Sequence, residues 1–247
     1  MRLERGKTIF LLIIALFFEL FFPVVSFSQE VPIGTQYQYK VVIDPGHPSE
    51  NGEGCTSHGL KECEINWKVS ILTKQILDQD QKIQVILTKG TEKEYLTNKD
   101  RAVIANKNGA HLFLRLHCDY GNGSNSGYTI YYPDAKGKKG DFSGPSDEVI
   151  KMSRIGANRV HSGMKKILEG LLKDNGIKTD RETLIGKRQG ALTGSIYCET
   201  PVVTIEMVFL SNTHDANFLK TDDGIKKMAS AIAEGVKNFL ISSSKGN

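Results

Sequence analysis

Short apolar segments rich in β-branched and aromatic residues alternate along the chain with segments that repeat apolar residues at helical spacing. The predicted strands are residues 40–44, 83–88, 112–117, 128–132 and 202–209. Helices are predicted after the first strand, where Ile65, Val69 and Leu72 follow a helical period, and around residues 160–171 and 225–240. Strands that alternate with helices are typical of an α/β sheet with helices packed on its faces.

No internal repeat or change in composition divides the chain after its N-terminal segment. We therefore expect one domain over residues 40–241, preceded by a linker at 29–39 and followed by a short tail at 242–247. Residues 133–146 are rich in Gly, Lys, Asp and Ser, which predicts an exposed loop.

The N-terminal segment 1–28 has the pattern of an export signal. Three basic residues lie within the first seven, an apolar run follows at 9–22, and small residues at Ser26 and Ser28 offer a cleavage site. The run is short for a membrane span, which needs about 20 residues. We expect export to the periplasm or the cell exterior. An uncleaved N-terminal anchor is the alternative, because Ser26-Phe27-Ser28 is a mediocre cleavage site and Glu19 weakens the apolar run.

Composition narrows the class of protein. A hydrophobic content of 39% excludes a disordered chain, and 32 Lys and Arg against 28 Asp and Glu give a net charge of +4, too weak to indicate nucleic-acid binding. The four cysteines are Cys55, Cys63, Cys118 and Cys198. Export would permit disulfides among them, but their spacing assigns no pairing.

Polar residues stand where predicted strands end. His47 follows the first strand, His117 ends the third, and Glu206 interrupts the apolar fifth strand. Ligands bind in open α/β sheets beyond the carboxyl ends of the strands, and a buried carboxylate needs a cation, hydrogen-bond donors or a pocket. Glu62, in the first helix, would complete a set of two imidazoles and one carboxylate that suits Zn²⁺ with an open fourth position. Taken singly, each residue also has a purely structural explanation, such as stabilisation of an acidic residue by the helix dipole.

Five short motifs occur in an order that resembles a known family. They are Asp44-Pro45-Gly46-His47, Gly59-x-x-Glu62-x-x-x-Asn66, Asp100-Arg101 with Ala105-Asn106, Leu116-His117, and Glu206-x-x-Phe209-Leu210-Ser211-Asn212. Their order and approximate spacing resemble the zinc-dependent N-acetylmuramoyl-L-alanine amidases, the amidase-3 type of cell-wall hydrolase. The resemblance covers residues 41–240 and implies a single α/β domain with a twisted, mostly parallel central sheet and helices on both faces.

The resemblance also implies the chemistry. One Zn²⁺ per chain would be held by His47, Glu62 and His117, with Glu206 as the catalytic general base and acid. The substrate would be peptidoglycan, cleaved at the amide between N-acetylmuramic acid and L-alanine. Glu64 is the alternative to Glu62 as the third ligand. Two other functions stay open: a zinc peptidase or amidohydrolase that acts on another amide, and a non-catalytic cell-wall binding module.

Several positions depart from the family pattern. Pro48-Ser49 replaces glycines after the first histidine, Arg115 replaces a small residue, and Cys118-Asp119 replaces Ala-Asn after the second histidine. These changes leave the implied ligands intact and affect substrate contacts. Some family members carry a helical insertion that blocks the zinc until an activator displaces it. Residues 133–148 are too few for such a helix, so we expect activity without an activator.

Overall fold

Ten strands and seven α-helices follow one another along residues 37–243, the part of the chain that the computed structural model describes. The strands are β1 (Tyr39–Pro45), β2 (Thr56–Ser57), β3 (Leu60–Lys61), β4 (Ile83–Leu87), β5 (Leu112–Asp119), β6 (Tyr128–Tyr132), β7 (Gly137–Lys139), β8 (Phe142–Gly144), β9 (Asp174–Thr179) and β10 (Val202–Phe209). The helices are α1 (Glu62–Leu77), α2 (Asn98–Lys107), α3 (Asp147–Leu168), α4 (Leu184–Gln189), α5 (Thr193–Ile196), α6 (Thr213–Lys220) and α7 (Asp222–Ser243). The predicted export signal, the linker before residue 37 and residues 244–247 lie outside the described residues.

Six strands form the central sheet in the order β4-β1-β5-β10-β6-β9. β4, β1, β5 and β10 run parallel to one another, β6 is antiparallel to β10, and β9 is parallel to β6. The prediction of a mostly parallel sheet is therefore confirmed. β1 pairs with both β4 and β5, so the chain crosses from one side of β1 to the other between them.

Both faces of the sheet are covered, as predicted. Val41 and Ile43 of β1 belong to a large apolar cluster shared with α1, α3 and α7. Val42, between them, points to the opposite face and joins a second apolar cluster with Phe113 of β5 and Ala102 of α2. Consecutive strand residues alternate in this way because the side-chain period of a strand is two. Within residues 37–243, no helix combines the length and the apolar character that crossing a membrane requires.

Two elements lack the apolar pattern that would have predicted them. The helix α2 begins at a capping box in which the side chains of Thr97 and Asp100 each accept a backbone N–H from the other residue, and it buries small or polar side chains rather than an apolar stripe. The strand β9 is a half-buried edge strand with a polar sequence. Local capping defines the first element and pairing with β6 defines the second.

Much of the segment 133–146 is exposed, as its composition predicts, but the segment is not a loop. It contains the antiparallel hairpin β7–β8. Gly137 and Gly144, at the base of this hairpin, are buried, and a Cβ at either position would overlap the backbone near α4 or α5. The glycines that suggested a loop are therefore there because the hairpin packs closely on its neighbours. In the described chain no helix lies between β6 and α3.

Candidate metal centre

Strand pairing aligns polar side chains in rows on one face of the sheet. Asp44 of β1 pairs with Arg115 of β5, and Arg115 pairs with Thr204 of β10. Two residues further along each strand, His117 pairs with Glu206. Since residues i and i+2 share a face, these side chains lie on the same face as the second apolar cluster. This face changes from apolar to polar toward the carboxyl ends of the parallel strands.

Gly46 follows β1 in the row of His117 and leaves space for an imidazole. Its N–H donates to the Leu116 carbonyl over 2.9 Å, which keeps it beside β5. A Cβ at this position would overlap the ring of His117. The rings of His47 and His117 meet edge to face with centroids 5.2 Å apart. A residue without a side chain is therefore required for the two histidines to approach each other.

Glu62, the first residue of α1, lies between the two histidines. Its Oε1 is 3.4 Å from His47 Nε2 and 3.2 Å from His117 Nδ1, and one ligand atom from each residue lies within 4.8 Å of the others. The structure thus brings together the three side chains predicted as metal ligands. Glu64, the alternative third ligand, instead forms an ion pair with Lys61 at 2.9 Å.

Two backbone N–H groups orient the Glu62 carboxylate. Cys55 donates its N–H to Oε2 over 2.9 Å, and Cys118 donates its N–H to Oε1 over 3.1 Å. Burial would raise the pKa of Glu62, but contacts with the two imidazoles outweigh it and hold that pKa well below its usual range. All four cysteine thiols are free, so no disulfide accounts for the position of Cys55 or Cys118.

His47 is oriented by a backbone carbonyl. Its Nδ1 lies 2.8 Å from the Gly52 oxygen, so a proton on Nδ1 donates to that oxygen and leaves the Nε2 lone pair directed at Glu62. Metal-ligating histidines are commonly held in this way. His47 also has a φ of 59°, which is uncommon for a residue other than glycine and is often found at functional sites. Two imidazoles and a carboxylate that converge on one point fit the donor set of a zinc site.

Glu206 is placed beside this set by the β5–β10 ladder. The residue is partly exposed, but its Oε2 is buried and has no hydrogen-bond partner among the described residues. Burial raises the pKa of Glu206 well above its usual range, and the nearby carboxylates of Asp119 and Glu62 raise it further. An unpaired carboxyl in such a position is costly unless a cation or a substrate group completes its surroundings.

A cleft of about 210 Å³ opens over this face of the sheet. Its polar lining includes His47, His117, Glu206, Arg115 and Thr204, whereas Ile185, Leu192 and Thr193 form a wall contributed by the α4–α5 segment. The cleft lies at the carboxyl ends of the parallel strands, where the sequence pattern predicts a ligand site.

A buried ion cluster lies under the cleft. Asp44 accepts hydrogen bonds from Thr88 Oγ1 over 2.6 Å, from Arg101 Nη1 over 2.6 Å and from Arg115 Nε over 3.1 Å. Burial would raise the pKa of Asp44, but the two guanidinium groups hold it well below its usual range. Arg101 also donates to the carbonyls of Pro45 and Pro48, on either side of His47. The cluster therefore fixes the loop that carries the first histidine.

Arg115 and Thr204 line the cleft but were not predicted as site residues. Arg115 stood out in the sequence only as a departure from the family pattern, and Thr204 did not stand out at all. The signal that could have found both is the strand period, since each residue stands two positions before a selected one, His117 and Glu206.

A family model described as N-acetylmuramoyl-L-alanine amidase matches residues 41–238, most of the chain. The chain belongs to the amidase-3 family of N-acetylmuramoyl-L-alanine amidases. The chain is 27% identical over 211 residues to the sporulation-specific N-acetylmuramoyl-L-alanine amidase of Bacillus subtilis. The alignment covers 84% of this chain and 71% of that protein. The chain is 24% identical over 223 residues to the amidase AmiA of Escherichia coli, covering 81% of this chain and 75% of that protein.

Solved amidase structures share the fold. The catalytic domain of CwlV, an N-acetylmuramoyl-L-alanine amidase from Bacillus (Paenibacillus) polymyxa, superposes with a TM-score of 0.66 at 23% identity, over 82% of this chain and 98% of that one. The amidase AmiC2 of Nostoc punctiforme also superposes with a TM-score of 0.66, at 20% identity, over 83% of this chain and 98% of that one. The single α/β amidase domain expected from the sequence is thus confirmed.

Proposed function

We propose that this chain is a zinc-dependent amidase that hydrolyses the bond between N-acetylmuramic acid and L-alanine in peptidoglycan. The observation that carries the proposal is the convergence of His47, Glu62 and His117 on one point, with Glu206 beside His117 in the adjoining strand. Membership of the amidase family supports the reaction and the substrate class. We assign one zinc ion per chain to the three converging side chains.

Zinc, when bound, polarises the scissile carbonyl and lowers the pKa of a coordinated water. The protein residues hold the metal ligands in position and transfer the protons of the reaction. His47 offers Nε2 because Nδ1 donates to the Gly52 carbonyl. Glu62 stays ionised because contacts with the two imidazoles hold its pKa low, and the backbone N–H groups of Cys55 and Cys118 orient its oxygens. Glu206 accepts the proton of the attacking water and then delivers it to the leaving amine of L-alanine.

We infer that the protein acts outside the cytoplasm, since its substrate is the cell wall and the segment 1–28 has the pattern of an export signal. N-terminal sequencing of the protein recovered from the producing cell tests this inference, with a start near Gln29 expected. A protein that retains Met1 and fractionates with membranes would instead support an uncleaved anchor.

The reaction is tested by mass spectrometry of muropeptides released from purified peptidoglycan, with and without a chelator. We expect free stem peptides that begin with L-alanine, formed only with zinc. Glu206→Gln should lower the rate by about 10²–10⁴-fold. Glu199→Gln is the matched control, because Glu199 is exposed and does not line the cleft.

The products separate the alternatives. Cleavage within the stem peptide, with the muramic acid amide intact, would support a zinc peptidase. Binding to peptidoglycan without any released peptide in the presence of zinc would support a binding module. Either result would overturn the proposed amidase activity.

A further inference from the structure

Two arginine side chains beneath the cleft donate hydrogen bonds to the same carboxylate, that of Asp44. Arg101 and Arg115 are both buried and both donate to Asp44, and the other side-chain acceptor of Arg115 is the neutral amide oxygen of Asn98. Arg101 directs its remaining hydrogen bonds to backbone carbonyls. Two guanidinium groups are thus hydrogen-bonded to a single carboxylate. Asp180, whose pKa burial raises to about 6, accepts a hydrogen bond from the Leu192 N–H rather than from Arg115.

Arg115 and Thr204 each have an unused hydrogen-bond donor at the cleft. Nη1 of Arg115 has no hydrogen-bond partner within residues 37–243, and Arg115 lines the cleft while being only 4% exposed. Thr204, its partner in the β5–β10 ladder, also lines the cleft. Thr204 is 2% exposed, and its Oγ1 is buried without a partner in the described part of the chain. A carboxylate has acceptor oxygens for both donors and forms its stronger hydrogen bond with the guanidinium.

The strand positions of Arg115 and Thr204 indicate how far these side chains lie from the scissile amide. Arg115 and Thr204 stand two residues before His117 and Glu206 on the same face, and two strand residues span about 6.8 Å. An extended substrate advances about 3.3–3.6 Å per residue. The pair is therefore about two residues away from the scissile amide.

We propose that Arg115 and Thr204 form an anion subsite that binds a carboxylate of the stem peptide, carried by the residue that follows the L-alanine. The inference rests on the proposed function and adds a preference to it. Substrates with a free carboxylate at that residue should be selected over substrates in which it is a neutral carboxamide.

The test compares two synthetic substrates that differ in one group: N-acetylmuramoyl-L-alanyl-D-glutamate and its α-carboxamide. We expect the zinc-loaded full-length protein to have a kcat/KM at least about tenfold higher for the acid, the scale of one hydrogen bond to a charged group. The same comparison is made without catalysis by calorimetric titration of the product peptides, L-alanyl-D-glutamate and its α-carboxamide. The acid should bind at least tenfold more tightly.

Two variants test whether Thr204 and Arg115 cause the preference for the acid substrate. Thr204→Val keeps a β-branched side chain and removes only the hydroxyl, whereas Arg115→Lys keeps a positive charge but loses the planar donors. Both variants should reduce severalfold the ratio of kcat/KM for the acid to kcat/KM for the carboxamide. Thr200→Val is the control, since Thr200 is also buried with an unpartnered Oγ1 but does not line the cleft. If these residues had a role in folding alone, the variants would change kcat/KM for both substrates equally and leave the ratio unchanged.

Equal binding of acid and carboxamide by the wild-type protein overturns the subsite, as does a preference that Thr204→Val and Arg115→Lys both leave unchanged. If neither substrate is hydrolysed but the acid peptide binds more tightly in a manner that depends on Thr204, the subsite stands and the proposed amidase reaction fails. The two inferences are thus tested separately.

Discussion

Replacing Asp44 with asparagine tests whether the buried ion cluster holds the site together. The asparagine side chain would offer one acceptor oxygen in place of the two that contact Thr88, Arg101 and Arg115, and its amide N–H₂ would face a guanidinium donor. Breaking a buried ion pair by removing one partner costs about 3–5 kcal/mol. In a domain of this size each kcal/mol lowers Tm by about 2–4 °C, so Asp44→Asn should lower Tm by about 6–20 °C.

The measurement is thermal unfolding followed by circular dichroism at pH 7, with Asp78→Asn as the control. Asp78 is exposed and pairs with Lys74 on the surface of α1, so its variant should change the free energy of unfolding by less than about 0.5 kcal/mol. The folded-state pKa of Asp44 is lowered, so its contribution is present above the ordinary aspartate pKa of about 3.9 and is lost as the pH falls below it. A difference between Asp44→Asn and wild type below about 2 °C at pH 7, on the scale expected for a surface pair, would refute this reasoning.

Three further predictions concern the metal centre. His117→Ala should lose the zinc that elemental analysis finds in the wild-type protein, while Glu64→Ala should keep it; zinc retained by the first variant would contradict the ligand assignment. Gly46→Ala should also lose zinc because its methyl group would displace the His117 ring, and Gly90→Ala, whose Cβ would meet only Glu94 Oε2 at 3.5 Å, should not. In chelator-treated protein Glu206→Gln should raise Tm more at pH 8 than at pH 4, because a raised folded-state pKa makes wild type lose stability as pH rises above about 4.3. An equal difference at both pH values would assign the effect to something other than ionisation of this carboxyl.

The apolar pattern predicts the elements that build the core. Residues 128–132 and 202–209 coincide with β6 and β10, and the apolar positions of residues 225–240 all lie in α7. These elements form by burying apolar side chains, so the cause of their formation is visible in the sequence. The helix predicted around residues 160–171 ends at Leu168, because Glu169 has an extended ψ of 128° and Gly170 a φ of 77°.

The candidate site was predictable as a set of residue types and less so as a geometry. Polar residues at strand ends indicated His47, His117 and Glu206, and the structure brings the two histidines to Glu62. The choice of Glu62 over Glu64 depends on which face of α1 each residue occupies. Glu62 is held at the site by backbone N–H groups of Cys55, in the preceding loop, and of Cys118, in the distant strand β5. Strand order, which places Arg115 beside Thr204, is likewise a property of the whole sheet that no local pattern contains.

The reversal of direction at β6 separates two ways in which the cleft could change during evolution. Because β6 is antiparallel to β10, the connection at residues 120–127 lies at the edge of the sheet that carries the metal ligands, where Gly121 and Gly127 donate to Ser211 and to Asp215. The hairpin β7–β8 leaves β6 from the other end and packs behind the α4–α5 wall. Insertions in the first connection would therefore raise the rim of the cleft, and insertions in the hairpin would shift its wall. Neither would disturb the ladder that joins His117 to Glu206, so the range of accepted substrates can diversify while the reacting groups stay fixed.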